Sequence, residues 1–365
     1  MQDLDRRAAR RFLETLWADE EAVVEAVVSD GWPEGMVRAG LALHRQTWDV
    51  ETLVRSIEME LAGVLESPDH SLRWPASVHH IWPALPGAGV TPCLVGILLG
   101  IPQRVRPSRR GLGFARRLAE CCEVDLIEPD DDWTDTDLVV VSGSDETVAA
   151  VREKMAGRGR VIGYGHRVSL ALVVDDPEKL ELDTVAARIA GDIVMWHQRG
   201  CFSVRAVHFC GSAGRRQRFC QKLARAIAER EREWGADKVG ESELAARAQA
   251  LGVAQMKGEV WQKGLGYVRC EAGPFTGGQE AVHAVTVHPV DGPESLAAMI
   301  DVPHTQIQGV AIAGAWRDSR QRWLDALSEV GATRIAPAGT MQAPPANWWH
   351  DGRPNALSWA TVVTR

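Results

Sequence analysis

The chain has 365 residues, of which 45% are hydrophobic and 25% charged, a composition typical of a folded globular protein with room for two cores. Its net charge of −8 argues against a general nucleic-acid partner, because phosphate binding needs concentrated positive charge. The charged first residues and the short apolar run at 92–101 predict neither a signal peptide nor a membrane span. Seven cysteines without paired metal-ligand spacing indicate reduced thiols of a cytoplasmic protein and no metal site.

The first segment, residues 1–74, is predicted to be helical. Apolar and charged residues alternate at helical spacing, as from Phe12 to Val27. We expect an antiparallel helical segment that precedes the first sheet and carries no chemistry.

Residues 75–178 alternate predicted strands and helices. A strand, a Pro/Gly turn and a buried helix occupy 77–100, and strands at 103–107, 138–141 and 161–162 alternate with helices at 111–122 and 147–155. This alternation predicts a parallel sheet covered on both faces, with a nucleotide site at the carboxyl ends of its strands. No Gly-x-Gly-x-x-Gly or Walker A pattern is present, which argues against an ordinary dinucleotide fingerprint.

Residues 179–342 continue the alternation and are predicted to form a second domain. The predicted helices are 180–193, 215–234, 242–256, 294–300 and 320–330, and the predicted strands are 204–209, 266–270, 283–288, 307–313 and 333–337. A Pro-rich stretch ends this domain, and residues 343–365 form a C-terminal tail.

A cysteine follows a polar turn in the second domain. Cys201 comes after Gln-Arg-Gly and just before an apolar strand, with His197 and Arg199 close in sequence. A thiol becomes a nucleophilic thiolate beside cationic groups, backbone N–H donors or a histidine. Most free cysteines are instead small buried hydrophobic residues, and the local sequence does not decide between these interpretations.

Two stretches of the first domain place polar groups at strand ends. Arg104 and Arg106 share one face of a predicted strand, because side chains alternate with a two-residue period. They are either an anion-binding site or a solvated basic edge. Ser144 is the predicted N-cap of a helix whose first turn carries Asp145 and Glu146.

Four segments in chain order resemble one family: GSDETV at 143–148, GYGHRVSLALV at 163–173, QRGCFS at 198–203 and WHDGRPN at 349–355. The chain resembles the acyl-CoA reductases, which include the fatty acid reductase subunit of bacterial bioluminescence and belong to the aldehyde dehydrogenase superfamily. One segment would be weak support, whereas four in the family's order are specific. The resemblance implies an α/β, aldehyde-dehydrogenase-like fold of two α/β domains with parallel sheets after the helical segment.

The resemblance implies a nucleophile and a base. In the superfamily a cysteine attacks the carbonyl, and Cys201 takes that place here. The glutamate that activates water in the oxidising members is replaced by Tyr164, a poor base, so an acyl-enzyme should persist. His166 is then the available base, with a polar turn histidine as the alternative. His350 lies in a Trp-flanked tail, which is more typical of a docking segment than of a catalytic base.

The resemblance also implies a nicotinamide cofactor. Arg106, a proline and Ser108 match the segment that contacts the adenosine ribose in aldehyde dehydrogenases, which lack the glycine fingerprint. With Arg104 on the same face, the guanidinium groups favour the 2′-phosphate of NADPH over NADH. Because the acidic first turn would repel a pyrophosphate, we expect only the backbone of Gly143 and Ser144 to meet the cofactor.

One position departs from the family pattern. The asparagine whose amide helps to form the oxyanion hole is replaced by Ala84. The loss of one such donor typically costs about 10²–10³ in rate.

These observations predict NADPH-dependent reduction of an acyl thioester, carried by CoA or by an acyl carrier protein, to an aldehyde through an acyl-cysteine. Two alternatives stay open: a non-reducing acyltransferase or carrier-protein partner, and a scaffold subunit with a decayed site. We expect a cytoplasmic protein with no nucleic-acid or membrane partner, acting as a homo-oligomer or in a complex with an acyl-supplying enzyme.

Overall fold

The computed structural model describes residues 4–122, 124–128, 131–237, 239–278, 281–314 and 319–364. The chain divides into two compact units: the first comprises Met1–Trp32, Leu41–His166 and Pro345–Arg365, and the second comprises Pro33–Gly40 and Arg167–Pro344. The sequence placed the boundary between the two α/β domains after residue 178, whereas the two units divide after residue 166.

Helices open the chain, as the sequence predicted. They are α1 (Arg6–Ala18), α2 (Glu20–Ser29), α3 (Glu34–Thr47) and α4 (Val50–Leu65). Asp5, Asp19 and Asp49 cap α1, α2 and α4 by accepting a backbone N–H two or three residues into each helix. No helix in the described part of the chain is both long enough and apolar enough to cross a membrane.

The first unit contains a five-stranded parallel sheet. Its elements, with the short strand that precedes them, are β1 (His70–Arg73), β2 (Val78–Ile81), α5 (Val90–Leu99), β3 (Gln103–Arg106), α6 (Leu112–Cys121), β4 (Val124–Leu126), β5 (Leu138–Ser142), α7 (Asp145–Lys154) and β6 (Arg160–Tyr164). The strand order is β4-β3-β2-β5-β6, and every pairing is parallel. The connections leave the sheet in opposite directions from β2, so the topological switch point lies between β2 and β5, where such sheets bind nucleotides.

The second unit contains a seven-stranded sheet. Its elements are β7 (Val168–Val174), α8 (Leu182–Val194), β8 (Val204–Cys210), α9 (Ala213–Trp234), α10 (Glu241–Lys257), β9 (Val260–Gln262), β10 (Tyr267–Cys270), β11 (Val285–Pro289), β12 (Ile307–Gly314), α11 (Arg320–Glu329) and β13 (Arg334–Pro337). The order is β13-β12-β7-β8-β11-β10-β9, and only the edge strand β9 is antiparallel. All seven residues of the interior strand β7 are buried, as expected for a strand covered on both faces.

Several features of the fold were not predicted, among them the edge strand β9. Residues 294–300 form two short 3₁₀ turns instead of the predicted helix. The backbone there pairs with Phe275, whose N–H donates to Met299 O (2.9 Å) and whose O accepts from Asp301 N (2.8 Å), so these groups cannot continue helical hydrogen bonds. The strand β4 and the antiparallel pairing of β1 with β14 (Thr361–Thr364), which joins the C-terminal tail to the first unit, are too short and exposed to show in the sequence pattern.

Candidate active site

Three consecutive residues before Cys201 have left-handed backbone conformations. Trp196, His197 and Gln198 have φ values of 54°, 52° and 59°. Each such conformation costs a residue with a side chain about 1–2 kcal/mol, so the surrounding structure must hold it. Strained backbone of this kind concentrates at functional sites. We call residues 196–203 the cysteine turn.

Buried contacts hold the cysteine turn within the second unit. The fully buried Gln198 donates through Nε2 to the carbonyls of Val204 (2.8 Å) and Ala284 (3.0 Å). The backbone N–H of Trp196 contacts Met36 Sδ at 3.1 Å. Its indole lies against Gly40, where a Cβ would come within 2.2 Å of the ring. The turn is therefore set by residues far away in sequence.

Cys201 is half-buried within this turn, three residues before β8 begins, and the sequence likewise placed it just before a strand. Its carbonyl oxygen accepts from Ser169 Oγ on β7 at 2.7 Å, and the N–H of Ser203 donates to Gly200 O at 3.0 Å. Both hydrogen bonds fix the backbone on either side of the sulfur. The thiol therefore lies at the amino end of β8 on a backbone with little freedom to move.

Arg205 is a site residue that sequence reasoning missed. It is the extra residue of a β-bulge, because Ser169 pairs with Val204 while Leu170 pairs with Ala206. Its exposed fraction is 8%, and burial lowers its pKa to about 10, while an electrostatic interaction with Cys201 acts in the opposite direction. A cation beside a cysteine favours the nucleophilic thiolate. The available signal was an arginine inside an otherwise apolar strand.

His197 and Arg199, which lie close to Cys201 in sequence, each contact another residue of the second unit. Burial lowers the pKa of His197 to about 4, with a further contribution from His283, so the imidazole is neutral at physiological pH. Its ring stacks on His283 at 5.6 Å. Arg199 forms a 2.5 Å ion pair with Glu243. Burial thus removes the positive charge from His197, so this residue does not supply a cation to the thiol.

A buried glutamate, Glu231, binds His283, the histidine that stacks on His197. Glu231 accepts from His283 Nδ1 (2.8 Å) and from the backbone N–H groups of Leu265 (2.8 Å) and Gly266 (2.7 Å). His283 also has a left-handed backbone, with φ of 53°. These hydrogen bonds fix the position of His283, on which the ring of His197 stacks.

A second buried carboxylate, Asp192, is connected to the cysteine turn through hydrogen bonds. Asp192, at the end of α8, accepts from the N–H groups of Gly339 (2.6 Å) and Met341 (3.0 Å). Gln342 Nε2 donates to Asp192 O (3.1 Å) and to Ser203 Oγ (3.2 Å). Burial raises the pKa of Asp192 to about 7, although the two backbone N–H donors oppose the shift. The loop at 339–342 thus connects Asp192 to the residue two positions after Cys201.

The other cysteines of the second unit differ from Cys201 in their surroundings. Burial raises the pKa of the Cys210 thiol, and the nearby Asp291 and Asp175 raise it further. The sulfur atoms of Cys220 and Cys270 lie 2.8 Å apart, and this contact lowers the pKa of Cys270. Cys270 is therefore the thiol most able to compete with Cys201 for an electrophile.

The residues assigned to the cofactor lie at the carboxyl edge of the first unit's sheet. Ile81, the last residue of β2, has Arg106 of β3 on one side and Val141 of β5 on the other. Ser108 follows β3 and Gly143 follows β5, so both flank the topological switch point. We call Arg104, Arg106, Ser108, Gly143 and Ser144 the cofactor edge.

The side chains of the cofactor edge offer donors for an anionic nucleotide. Arg104 and Arg106 are half-buried on one face of β3, as the two-residue period predicted. Arg104 forms a 3.1 Å ion pair with Asp131, and Arg106 lies 6.0 Å from the ring of Trp133. Ser108 Oγ is buried and has no hydrogen-bond partner among the described residues. An unpaired buried hydroxyl beside an arginine fits a ligand with oxygen atoms, such as a nucleotide ribose.

Ser144 is the N-cap of α7, as predicted. Its Oγ accepts from Thr147 N at 3.3 Å, and Asp145 and Glu146 occupy the first turn. The backbone N–H of His166 donates to Asp145 Oδ1 at 2.8 Å, and a Cβ at Gly165 would lie 2.1 Å from that oxygen. His166 is exposed at the end of the first unit, so its imidazole is not a structural core group.

Tyr164 and His350 pack against each other. Their rings stack at 3.6 Å with an angle of 8° between the planes. Burial raises the pKa of Tyr164 well above its usual range, with a smaller contribution from Asp351, so the phenol cannot serve as a base for water. His350 also lies 4.8 Å from the ring of Trp348. The imidazole of His350 therefore packs against two aromatic rings of the first unit.

Ala84 lies in the turn after β2. Its Cα is 3.5 Å from where a Cβ of Gly111 would lie, and Ser108 Oγ is at 3.4 Å from the same point. Its methyl group offers no hydrogen-bond donor.

The chain matches the family model of acyl-CoA reductases (LuxC) over residues 129–358. A curated relative, long-chain acyl-protein thioester reductase 2 of Photobacterium leiognathi, is 25% identical over 250 residues, which are 62% of this chain and 46% of that protein. The chain thus spans about half the length of this relative.

Solved structures with a similar fold are aldehyde dehydrogenases. The NAD-dependent aldehyde dehydrogenase of Sinorhizobium meliloti superposes with a TM-score of 0.72 at 14% identity. The match covers 99% of this chain and 82% of the dehydrogenase chain. Aldehyde dehydrogenase C of Pseudomonas syringae, solved with NAD⁺ and octanal, gives 0.70 at 12% identity over 98% and 83%. The fold is therefore aldehyde-dehydrogenase-like, as the sequence predicted. The family model covers more than half of the chain, and the chain belongs to the acyl-CoA reductase (LuxC) family.

Proposed function

We propose that this protein reduces an acyl thioester to an aldehyde through an acyl-Cys201 intermediate, with NADPH as the cofactor. Membership of the acyl-CoA reductase family supports the reaction class. The observation that carries the proposal is the cysteine turn itself. Three strained residues and a set of buried hydrogen bonds hold the half-buried Cys201 beside the buried cation of Arg205.

The first step uses the chain's own groups. The Cys201 thiolate adds to the thioester carbonyl, the new carbon–sulfur bond forms, and the donor thiol leaves with a proton. His166 is proposed as the base that takes the proton from Cys201. Arg205 lies where a cation favours the thiolate. Tyr164, buried and protonated at the place of the water-activating glutamate, supplies no route to hydrolysis.

The cofactor edge fits NADPH. Ser108 Oγ would meet the ribose, Arg106 the 2′-phosphate, and the backbone of Gly143 and Ser144 the remainder. Arg104 contributes charge but shares it with Asp131. When bound, NADPH supplies the hydride that converts the acyl group to an aldehyde. The carboxylates of Asp145 and Glu146 would repel a pyrophosphate placed directly at the first turn of α7.

The donor is proposed to be acyl-CoA or an acyl carrier protein. The curated relative is named for acyl-protein thioesters, which supports a protein-bound donor. A carrier or an acyl-supplying enzyme would then be the physiological partner.

Intact-mass analysis tests the proposal. The protein is mixed with a panel of acyl-CoAs without NADPH, in the presence of a phosphine reductant that keeps Cys220 and Cys270 reduced without exchanging with thioesters. We expect one adduct that maps to Cys201, forms equally in Cys270→Ala, and is absent in Cys201→Ala. Adding NADPH should discharge it as aldehyde.

The outcomes separate the alternatives. An adduct that ignores NADPH would indicate a non-reducing acyltransferase. No adduct from any thioester, with the protein folded by circular dichroism, would leave only the scaffold role. An adduct on Cys270 instead of Cys201 would contradict the assignment of the nucleophile.

A further inference from the structure

An open cleft of about 140 Å³ lies in the second unit, where residues of β8, β10 and β11 line it. Its polar lining includes Arg205, Lys257, Arg269, Glu271 and His288. A site for a long alkyl chain would be lined predominantly by apolar side chains. This lining instead predicts a polar ligand.

Among the described residues that line the cleft, one buried cation has no carboxylate partner. Arg269 forms a 2.8 Å ion pair with Glu271, which balances both. His288 is hydrogen-bonded through both ring nitrogens, to Gly273 O (2.7 Å) and to Thr286 Oγ1 (2.8 Å), an arrangement that suits the neutral ring. Lys257 is exposed at the end of α10. Arg205 is left as the deep positive charge.

Arg205 is buried and incompletely paired. Its exposed fraction is 8%, and Nη1 has no hydrogen-bond partner in the part of the chain that the structure describes. A buried guanidinium donor without an acceptor is costly, and a planar fork of N–H groups matches a carboxylate or a phosphate. The β-bulge places this side chain in the cleft, four residues after Cys201.

We infer that this cleft binds a carboxylate at the far end of the acyl group, so that the substrate is a half-thioester of a dicarboxylic acid. The inference rests on the proposed function of Cys201. It assigns the anion to the acyl side because Arg205 lines the cleft from the amino end of β8, four residues after Cys201, and interacts electrostatically with the cysteine whose sulfur takes up the acyl group. The phosphates of CoA or of a carrier protein lie a full pantetheine arm away from the thioester sulfur.

The test compares S-succinyl- and S-butyryl-N-acetylcysteamine, which have equal chain lengths and no phosphate. Acylation of Cys201 is followed by intact mass. Wild type should react roughly 10- to 100-fold faster with the succinyl thioester, the range expected for a charge-assisted hydrogen bond. Arg205→Gln should lose this ratio, and Arg205→Lys should retain part of it. Because a weaker thiolate slows both substrates alike, the ratio reports recognition of the carboxylate.

Arg322→Gln is the matched control, since it removes an exposed arginine that pairs with Glu294 on the surface of the same unit. It should keep the wild-type ratio. Equal rates for both thioesters in wild type would overturn the inference while leaving the proposed function intact. Failure of both thioesters and of the acyl-CoAs would instead remove the proposed function.

A second measurement needs no variant. Free succinate should protect Cys201 of the wild-type protein from iodoacetamide more than butyrate does. Equal protection by the two would overturn the inference. The Arg205→Gln variant is also compared on succinyl-CoA and butyryl-CoA. If Arg205→Gln slows both CoA thioesters equally, Arg205 binds an anion on the thiol side, and the inference is overturned.

Discussion

The cofactor edge and the cysteine turn differ in what positions their residues: strand ends position the first, and residues distant in sequence position the second. Arg106, Ser108 and Gly143 each lie at the end of a strand, so a strand prediction is enough to place them on one edge. The cysteine turn depends on Met36, Gly40 and other distant residues. A site made of strand ends can be predicted from periodicity, whereas a strained turn can be recognised only from the contacts that hold it.

The largest expected effect concerns His166, which lies outside the cysteine turn. If that turn positions but does not deprotonate Cys201, His166→Ala should slow acylation by about 10²–10⁴, the usual contribution of a general base. The rate is measured by intact mass in a single turnover. His304→Ala, which removes an exposed histidine of the second unit, should leave the rate unchanged. A lower melting temperature with a normal rate would show that His166 is structural.

Ala84 tests whether the first unit lacks an oxyanion donor. Ala84→Asn should raise single-turnover acylation by up to about 10²–10³ if the donor is missing. Ala84→Leu, which adds volume without a donor, should give no increase. An unchanged rate in Ala84→Asn would mean that other donors already complete the oxyanion hole.

Gln198 tests whether long-range contacts hold the cysteine turn. Gln198→Met keeps the side-chain length and removes both hydrogen bonds to buried carbonyls, which should cost about 2–4 kcal/mol of unfolding free energy. Urea denaturation measures the change, and acylation should slow in parallel. Gln321→Met, on the surface of α11, is the control. A loss below about 0.5 kcal/mol would show that the turn needs no such support.

Arg106 tests the cofactor edge. NADPH should bind more tightly than NADH, and Arg106→Gln should reduce this preference by about 10- to 100-fold. Arg104→Gln should reduce it less, because Arg104 shares its charge with Asp131. Tryptophan fluorescence titration gives both dissociation constants. Equal constants for the two cofactors in wild type would contradict the assignment.

The smallest expected effect is a pH dependence from Asp192. Its pKa is about 7 when folded and near 4 when unfolded, so the folded state binds more protons between these values. Stability from this group is therefore present at low pH and is lost as the pH rises, by about 2 kcal/mol from pH 5 to pH 7. Asp192→Asn should flatten that slope in urea denaturation. Asp183→Asn, which removes an exposed carboxylate, should retain it.

The sequence determined most of the architecture by itself. The alternation of strands and helices is strong, so the strands at 103–106 and 204–210 and the helices at 112–121 and 213–234 lie close to where periodicity predicted them. It also determined the family, because four segments match in order. The position of Cys201 between a turn and a strand followed from the same pattern.

Only the tertiary structure decided the state of individual charges. The sequence placed His197 close to the thiol but did not decide its charge, and burial, with a contribution from His283, makes it neutral. Arg205 was not noticed, because a bulge that pairs Leu170 with Ala206 turns it toward the cleft. Burial and register depend on neighbouring strands. Periodicity records which face a residue prefers, but it does not record which groups surround that residue after folding, and those groups set its charge.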